Sequence, residues 1–192
     1  MLARAAARSG VRRPSAIPIA VLPANLAKVA PLPARRRAAF RAHLLEQIGE
    51  AAKRERRLNP NSAGSDSAAP PPPIAAGCAA CRGRCCNRGG EHAFVDFTTI
   101  RRYTAQTGVR AAPAIVQAYL RYLPLRSYRD SCVYHTAAGC NLPRTMRGDV
   151  CNQFYCGAIL KQWQTLTREP TTIIAAADGS QVIRLRTTDQ YR

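Results

Sequence analysis

Between Ala34 and Arg57, the apolar residues Phe40, Leu44, Ile48 and Ala51 recur at helical spacing, with Leu45 and Ala52 beside them and arginines and glutamates in between. That period predicts an amphipathic helix over 34–57, which Gly49 weakens without stopping. Its apolar stripe calls for packing on the rest of the chain or on a partner protein; a basic helix lying on RNA or a membrane surface is the alternative. Residues 1–33 mix Arg, Ala and Pro without a steady period and read as a disordered tail. Residues 58–76 hold Asn59-Pro60-Asn61-Ser62, a Ser/Gly/Asp patch and then Pro70 through Pro73. They read as a linker, stiffened at its end by polyproline geometry.

Past the linker the periods shorten. Ala93–Phe97 reads as a short strand, and Asp96 or Thr98 as the cap of a helix that carries Ile100, Tyr103 and Thr107 and stops at Gly108. Pro113 suits the first turn of a second helix bearing Ile115, Ala118, Tyr119 and Tyr122, closed by Pro124. A third helix is expected over Val150–Leu166. Thr171–Ala177 and Gln181–Thr187 flank Asp178-Gly179, a hairpin signal. The predicted organisation is a tail (1–33), a helix (34–57), a linker (58–76), a domain (77–166) and a β-hairpin extension (167–192).

The eight cysteines change the picture. They fall into Cys78-x2-Cys81-x3-Cys85-Cys86 and Cys132-x7-Cys140-x10-Cys151-x4-Cys156, with 45 cysteine-free residues between the groups. A Cys-x2-Cys turn lets two thiolates converge on one ion, as in structural zinc and iron–sulfur sites. Gly83 lets the chain turn again, so Cys78, Cys81 and Cys85 are expected to share a centre. Adjacent side chains rarely aim at one ion, so Cys86 serves a second centre or stays a thiol or redox partner. Arg82, Arg84 and Arg88 would favour thiolates nearby. On a regular helix Cys151 and Cys156 would stand about 140° apart; either that helix starts late or the two serve different centres. The expectation is a centre of Cys78, Cys81 and Cys85 completed by a cysteine of the distant group. The fold class that follows is a small irregular α+β domain of short helices and loops organised around cysteine-bound metal, with an N-terminal helix and a C-terminal β-hairpin. Zinc, or iron as an iron–sulfur cluster, is the expected cofactor. The competing readings of the same cysteines are a disulfide scaffold and buried inert thiols.

At Cys78, Cys81, Cys85 and Cys86, then Cys132, then Gly139-Cys140, Arg147 and Cys151, the chain resembles the YkgJ-like cysteine-cluster family, described as zinc- or iron-chelating. The resemblance covers residues 77–157 and implies metal binding without implying a reaction. Three residues, Arg82-Gly83-Arg84, stand where the family has two, and Arg147-Gly148 where it has Arg-Pro. A related cysteine pattern in flagellin lysine methylases implies an accessory role in protein modification as an alternative.

Charge and composition narrow the partners. The formal charge is +18, from 29 basic and 11 acidic residues, and all basic residues but Lys28, Lys53 and Lys161 are arginine. Such a balance reflects first a genome rich in arginine and alanine codons, with a nucleic-acid-binding zinc protein as the alternative. Two tetrathiolate sites, each holding a divalent ion, would bring the charge to about +14. Tyr119, Tyr122, Tyr128 and Tyr134 suit base stacking or core packing. His135 and His92 are ligand candidates set against ordinary loop histidines, and His43 reads as solvent-facing. Asp149 is expected to cap the third helix, and Arg147 to pair with Asp149 or a thiolate site. No run approaches the roughly 18 apolar residues of a membrane span. The best candidate, Ala16–Ala30, is cut by Pro18 and Pro23 and carries Lys28; as a leader, Ala16–Leu22 contains a proline and no Ala-x-Ala site follows, so secretion fits poorly and reduced cysteines in the cytoplasm are expected. The Arg-rich start also suits an organelle transit peptide. Phosphate loops, nucleophile elbows and His-Glu-x-x-His motifs are absent, and whether any reaction is catalysed stays open.

Overall fold

The computed structural model describes residues 17–55, 69–168 and 171–191. These form a small mixed α+β protein that divides into two compact units. A sheet unit takes 17–26, 69–85 and the described residues from 155 onward; a helical unit takes 27–55 and 86–154.

In the sheet unit, β1 (Ile19–Pro23) lies parallel to β6 (Ile173–Asp178), which pairs antiparallel with β7 (Gln181–Thr187) in the order β1-β6-β7. The register runs from Ile19 opposite Ile173 to Pro23 opposite Ala177. The tail expected over 1–33 is therefore corrected for its described part: Ala20 and Leu22 are buried strand residues, and residues 1–16 lie outside the described residues. The expected hairpin forms around Asp178-Gly179, with Gly179 at φ 54°. It is no extension, because β6 is the middle strand and Ile173 through Ala176 are buried. Alternation was not needed for a strand buried on both faces.

Two helices complete this unit. α2 (Pro72–Cys81) begins where a linker was expected: prolines that block a helix interior fit its first turn, where no amide partner is needed. The remainder of that linker, 56–68, lies outside the described residues. α2 is mostly alanine around Gly77, where an added Cβ would stand 2.9 Å from Ile159 Cδ1 and 3.2 Å from Leu22 Cδ1. Small side chains allow that approach. Leu22, Ile74, Ile159, Leu166 and Ile174 form the core with α6 (Gly157–Arg168).

The helical unit is built on α1 (Ala34–Glu55), whose Phe40, Leu44 and Ala51 are buried as the period required. They pack with Ile100 and Tyr103 of α3 (Phe97–Thr107) and with Ile115 and Tyr119 of α4 (Ala112–Leu120). Asp96 caps α3 by accepting from the Thr99 amide at 2.8 Å, and Gly108 ends it at φ 72°. The strand expected at Ala93–Phe97 is a turn: Ala93 and Phe94 sit at φ 52° and 54°, and Phe97 already starts α3. α4 stops at Leu120, before Pro124.

β2 (Val29–Pro31) pairs antiparallel with β3 (Arg126–Tyr128), and β4 (His135–Thr136) with β5 (Gly139–Cys140). The expected third helix is broken. α5 (Asp149–Gln153) ends at Phe154, and α6 starts only after Cys156. Among the described residues no helix is long and apolar enough to cross a membrane.

Candidate metal centres

The unit boundary falls between Cys85 and Cys86, and again between Cys151 and Cys156. The cysteines therefore sort four and four, but not as the sequence groups them: Cys78, Cys81, Cys85 and Cys156 in the sheet unit, and Cys86, Cys132, Cys140 and Cys151 in the helical unit.

Cys78 and Cys81 occupy the end of α2, three residues apart and so on one helix face. The Cys-x2-Cys pair thus sits on a helix rather than in the expected turn. Arg82 (φ 56°) and Gly83 (φ 60°) are left-handed and reverse the chain, with the Gly83 amide donating to the Cys78 carbonyl at 3.3 Å. Asn25, just past β1, fixes this end: its amide donates to Cys81 O at 2.9 Å and its Nδ2 to Arg82 O at 3.1 Å. Arg184 of β7 donates to Asn25 O at 2.8 Å.

Cys85 and Cys86 follow in a 3-10 turn, Arg84–Gly89. With three residues per turn, neighbours diverge by about 120°, which sends the vicinal pair to different surroundings. Cys156 supplies the carbonyl that opens α6, accepting from the Leu160 amide at 3.0 Å. Cys156 thus stands at the N-terminus of a 12-residue helix.

These four thiols share one electrostatic field. Cys78 keeps an exposed face, yet protein atoms crowd its sulfur; that burial, then the charges of Cys85, Cys156 and Cys81, push its pKa up to about 12. Burial also raises Cys81, with Cys85 and Cys156 adding to the rise. A hydrogen bond from the Arg84 backbone and the Arg84 charge oppose it. Four thiolates this close repel one another unless a cation sits among them, and a divalent ion reverses that logic.

In the helical unit Cys132 is buried and Cys86 and Cys140 half-buried, while Cys151 is exposed. The Cys132 amide donates to Cys86 O at 3.0 Å. Burial pushes the Cys132 thiol up to about 12, with Cys140 and Cys151 adding to it and the Tyr134 amide and Arg36 opposing. Arginines hold the segments that carry Cys132, Cys140 and Cys151. Arg36 pairs with Glu91 at 2.5 Å and donates to Ser131 O, beside Cys132. Arg102 is buried, pairs with Asp149 and donates to Arg147 O, ahead of Cys151. Arg147 donates to Leu142 O at 2.7 Å and Cys140 O at 3.3 Å.

Several expectations are corrected here. Asp149 opens α5 but serves Arg102 rather than capping, and Arg147 bonds carbonyls rather than Asp149. His43 is half-buried, with Nε2 at 2.6 Å from Val95 O. His135 is buried, Nδ1 at 2.7 Å from Ser131 Oγ, and stands opposite Cys140 in the β4–β5 pair. His92 is exposed and accepts from the Phe94 amide at 3.0 Å. Tyr119, Tyr128 and Tyr134 are core residues, unavailable for base stacking. Asn25, Arg36 and Arg102 had no signal in the sequence, since their role depends on partners more than fifty residues away or on burial.

None of the eight cysteines is in a disulfide. Among the described residues no three His, Cys, Asp or Glu side chains already stand at the spacing of a bound ion; the two groups are sets of neighbouring thiols, not closed ligand shells. No family model, curated protein or solved structure matches the chain.

Proposed function

We propose that this protein chelates metal, zinc or iron, in two cysteine centres, one per unit: Cys78, Cys81, Cys85 and Cys156, and Cys86, Cys132, Cys140 and Cys151. The observation that carries this is the re-sorting of the cysteines. Two groups that are mixed in sequence separate into four and four across the fold, the vicinal pair included. Disulfide pairing requires only twos, and inert thiols require no grouping at all. Sulfur-only donor sets suit zinc or an iron–sulfur cluster rather than calcium or magnesium. Closing each set on an ion would offset the burial, and the lesser repulsion from neighbouring thiolates, that otherwise hold Cys78 and Cys132 protonated. The resemblance to the YkgJ-like family belongs to this reading and rests on the same cysteines. A reducing compartment such as the cytoplasm would keep these ligands available.

Nucleic-acid binding draws less support, because Arg36, Arg102, Arg147 and Arg184 are engaged inside the fold. No reaction is assigned; an iron–sulfur centre in an accessory enzyme would use the same ligands.

The test is elemental analysis of anaerobically purified protein. Two zinc ions per colourless chain, or iron and sulfide with broad visible absorption, support the reading. Cys78→Ser, Cys156→Ser and their double variant should each lose one ion, the same one. Cys78→Ser combined with Cys151→Ser should lose both. Metal-free protein with no titratable thiols under denaturing conditions would refute the proposal in favour of disulfides.

A further inference from the structure

Arg36, Arg102 and Arg147 donate to backbone carbonyls near the cysteines of the helical unit, and the first two also have a carboxylate. Arg36 pairs with Glu91 and Arg102 with Asp149. Arg147 is half-buried and, among the described residues, pairs with no carboxylate; its guanidinium bonds only the carbonyls of Leu142 and Cys140. Carbonyl dipoles solvate a guanidinium but leave its charge uncompensated, and a charge removed from water calls for an opposite one.

The position of that opposite charge is indicated by a shared acceptor. Leu142 O accepts from Arg147 Nε at 2.7 Å and from the Cys140 thiol at 3.8 Å, so sulfur and guanidinium flank one carbonyl oxygen. The guanidinium is held there from behind. Arg102 donates to Arg147 O, and the Tyr119 hydroxyl donates to Met146 O at 3.2 Å, which pins the backbone on which the side chain stands.

Resting on the metal-binding reading above, we propose that Arg147 is the counter-cation of the helical unit's centre, a positioning residue that holds the Cys140 loop and offsets thiolate charge when an ion binds. A divalent ion in four thiolates leaves a net −2. When Cys140 gives up its proton to bind, Leu142 O loses the weaker of its two donors and keeps Arg147. The guanidinium then faces an anion instead of a neutral thiol. Groups that orient and balance metal ligands in this way are typically worth about 10–100-fold in affinity.

The experiment separates charge from hydrogen bonding in the full chain loaded with zinc. Arg147→Gln keeps a carbonyl donor and loses the charge; Arg147→Lys keeps the charge and loses the fork; Arg101→Gln, on α3, controls for net charge. Zinc release to a chromophoric chelator is followed for both ions. The expected result is one ion released at about tenfold lower chelator in Arg147→Gln, the other unchanged, with Arg147→Lys recovering most of the loss and Arg101→Gln like wild type. The proposal is overturned if Lys is no better than Gln, if Gln releases like wild type, or if both ions loosen together. Wild-type protein that binds no ion overturns the parent reading instead. Hydrogen exchange of residues 139–142 in metal-free protein then decides on Arg147 alone: faster exchange in Arg147→Gln supports its hold on the Cys140 loop, and equal rates refute it.

Discussion

Gly89 gives the most direct access to Cys132. A Cβ added there would stand 2.8 Å from Cys132 Cβ, 3.2 Å from its Sγ and 3.3 Å from Phe94 Cε2. Carbon atoms in contact prefer about 3.5–4.0 Å, so the methyl overlaps its neighbour by most of an ångström. Relief by rotamer is not open, because Cys132 Cβ moves only with its backbone, and that backbone is tied to Cys86 O at 3.0 Å. Gly89→Ala is thus an overpacking change with an expected cost of about 1–3 kcal/mol. Because the displaced atoms belong to Cys132, loss of stability in metal-free protein should come with weaker retention of one ion. Gly49→Ala is the matched control in the same unit. It lies exposed within α1 with nothing within 4 Å of the new methyl, so helix propensity alone should stabilise by up to about 1 kcal/mol. Urea unfolding of both variants, metal-free under reducing conditions, gives the two midpoints, and zinc retention is read against the same chelator. A Gly89→Ala midpoint at or above wild type, with zinc retention unchanged, would refute this account of how Cys132 is seated.

Alkaline titration of the metal-free protein has a defined sign. Cys132 rises in the fold from 9.0 to about 12, so its contribution is complete below pH 9 and is lost as pH climbs towards 12, by up to about 4 kcal/mol; a flat stability profile over that window would contradict it. Zinc-loaded protein should instead lose stability towards acid, as protons displace the ion. Burial would raise Asp96, but hydrogen bonds from Thr98 and Thr99 outweigh it and hold the carboxyl below its ordinary value. Its capping contribution is therefore present above pH 3.8 and fades below it, and Asp96→Ala should cost about 1 kcal/mol at neutral pH and less in acid, measured by thermal melts at several pH values. Arg102→Met should cost about 1–3 kcal/mol and accelerate hydrogen exchange in 147–153, since Arg102 holds both Asp149 and Arg147 O; unchanged exchange there would count against it.

What the sequence made legible was local. The α1 stripe, the Asp96 cap, the Gly108 stop and the Asp178-Gly179 turn each depend on a few neighbouring residues, and the structure has all four. The Cys151–Cys156 offset was legible as a conflict, because helix geometry alone forbids a common direction, and the break at 154–156 meets it. β1 was hidden because a five-residue strand of mixed burial, ending in proline, has no period of its own and exists by pairing with Ile173–Asp178. α2 was hidden because four prolines look like a linker until one knows that the last two lie in a helix's first turn. The arginine contacts were out of reach altogether, since a guanidinium finds its acceptors in three dimensions, and nothing in the residue type distinguishes Arg102 from Arg101.

The pairing of β1 with β6 bears on how the chain is made. A ribosome releases Ile19 long before Ile173, and Arg184 meets Asn25 across 159 residues. During synthesis the first strand therefore has no partner, and Cys78, Cys81 and Cys85 emerge well ahead of Cys156. A nascent chain would carry three unsated thiols and an unpaired strand until its final stretch appears. Pairing over such separations is slow, because the loop must close before any contact rewards it. On the proposed metal-binding reading, metal delivered early would meet an incomplete set, and loading would wait for the last helix.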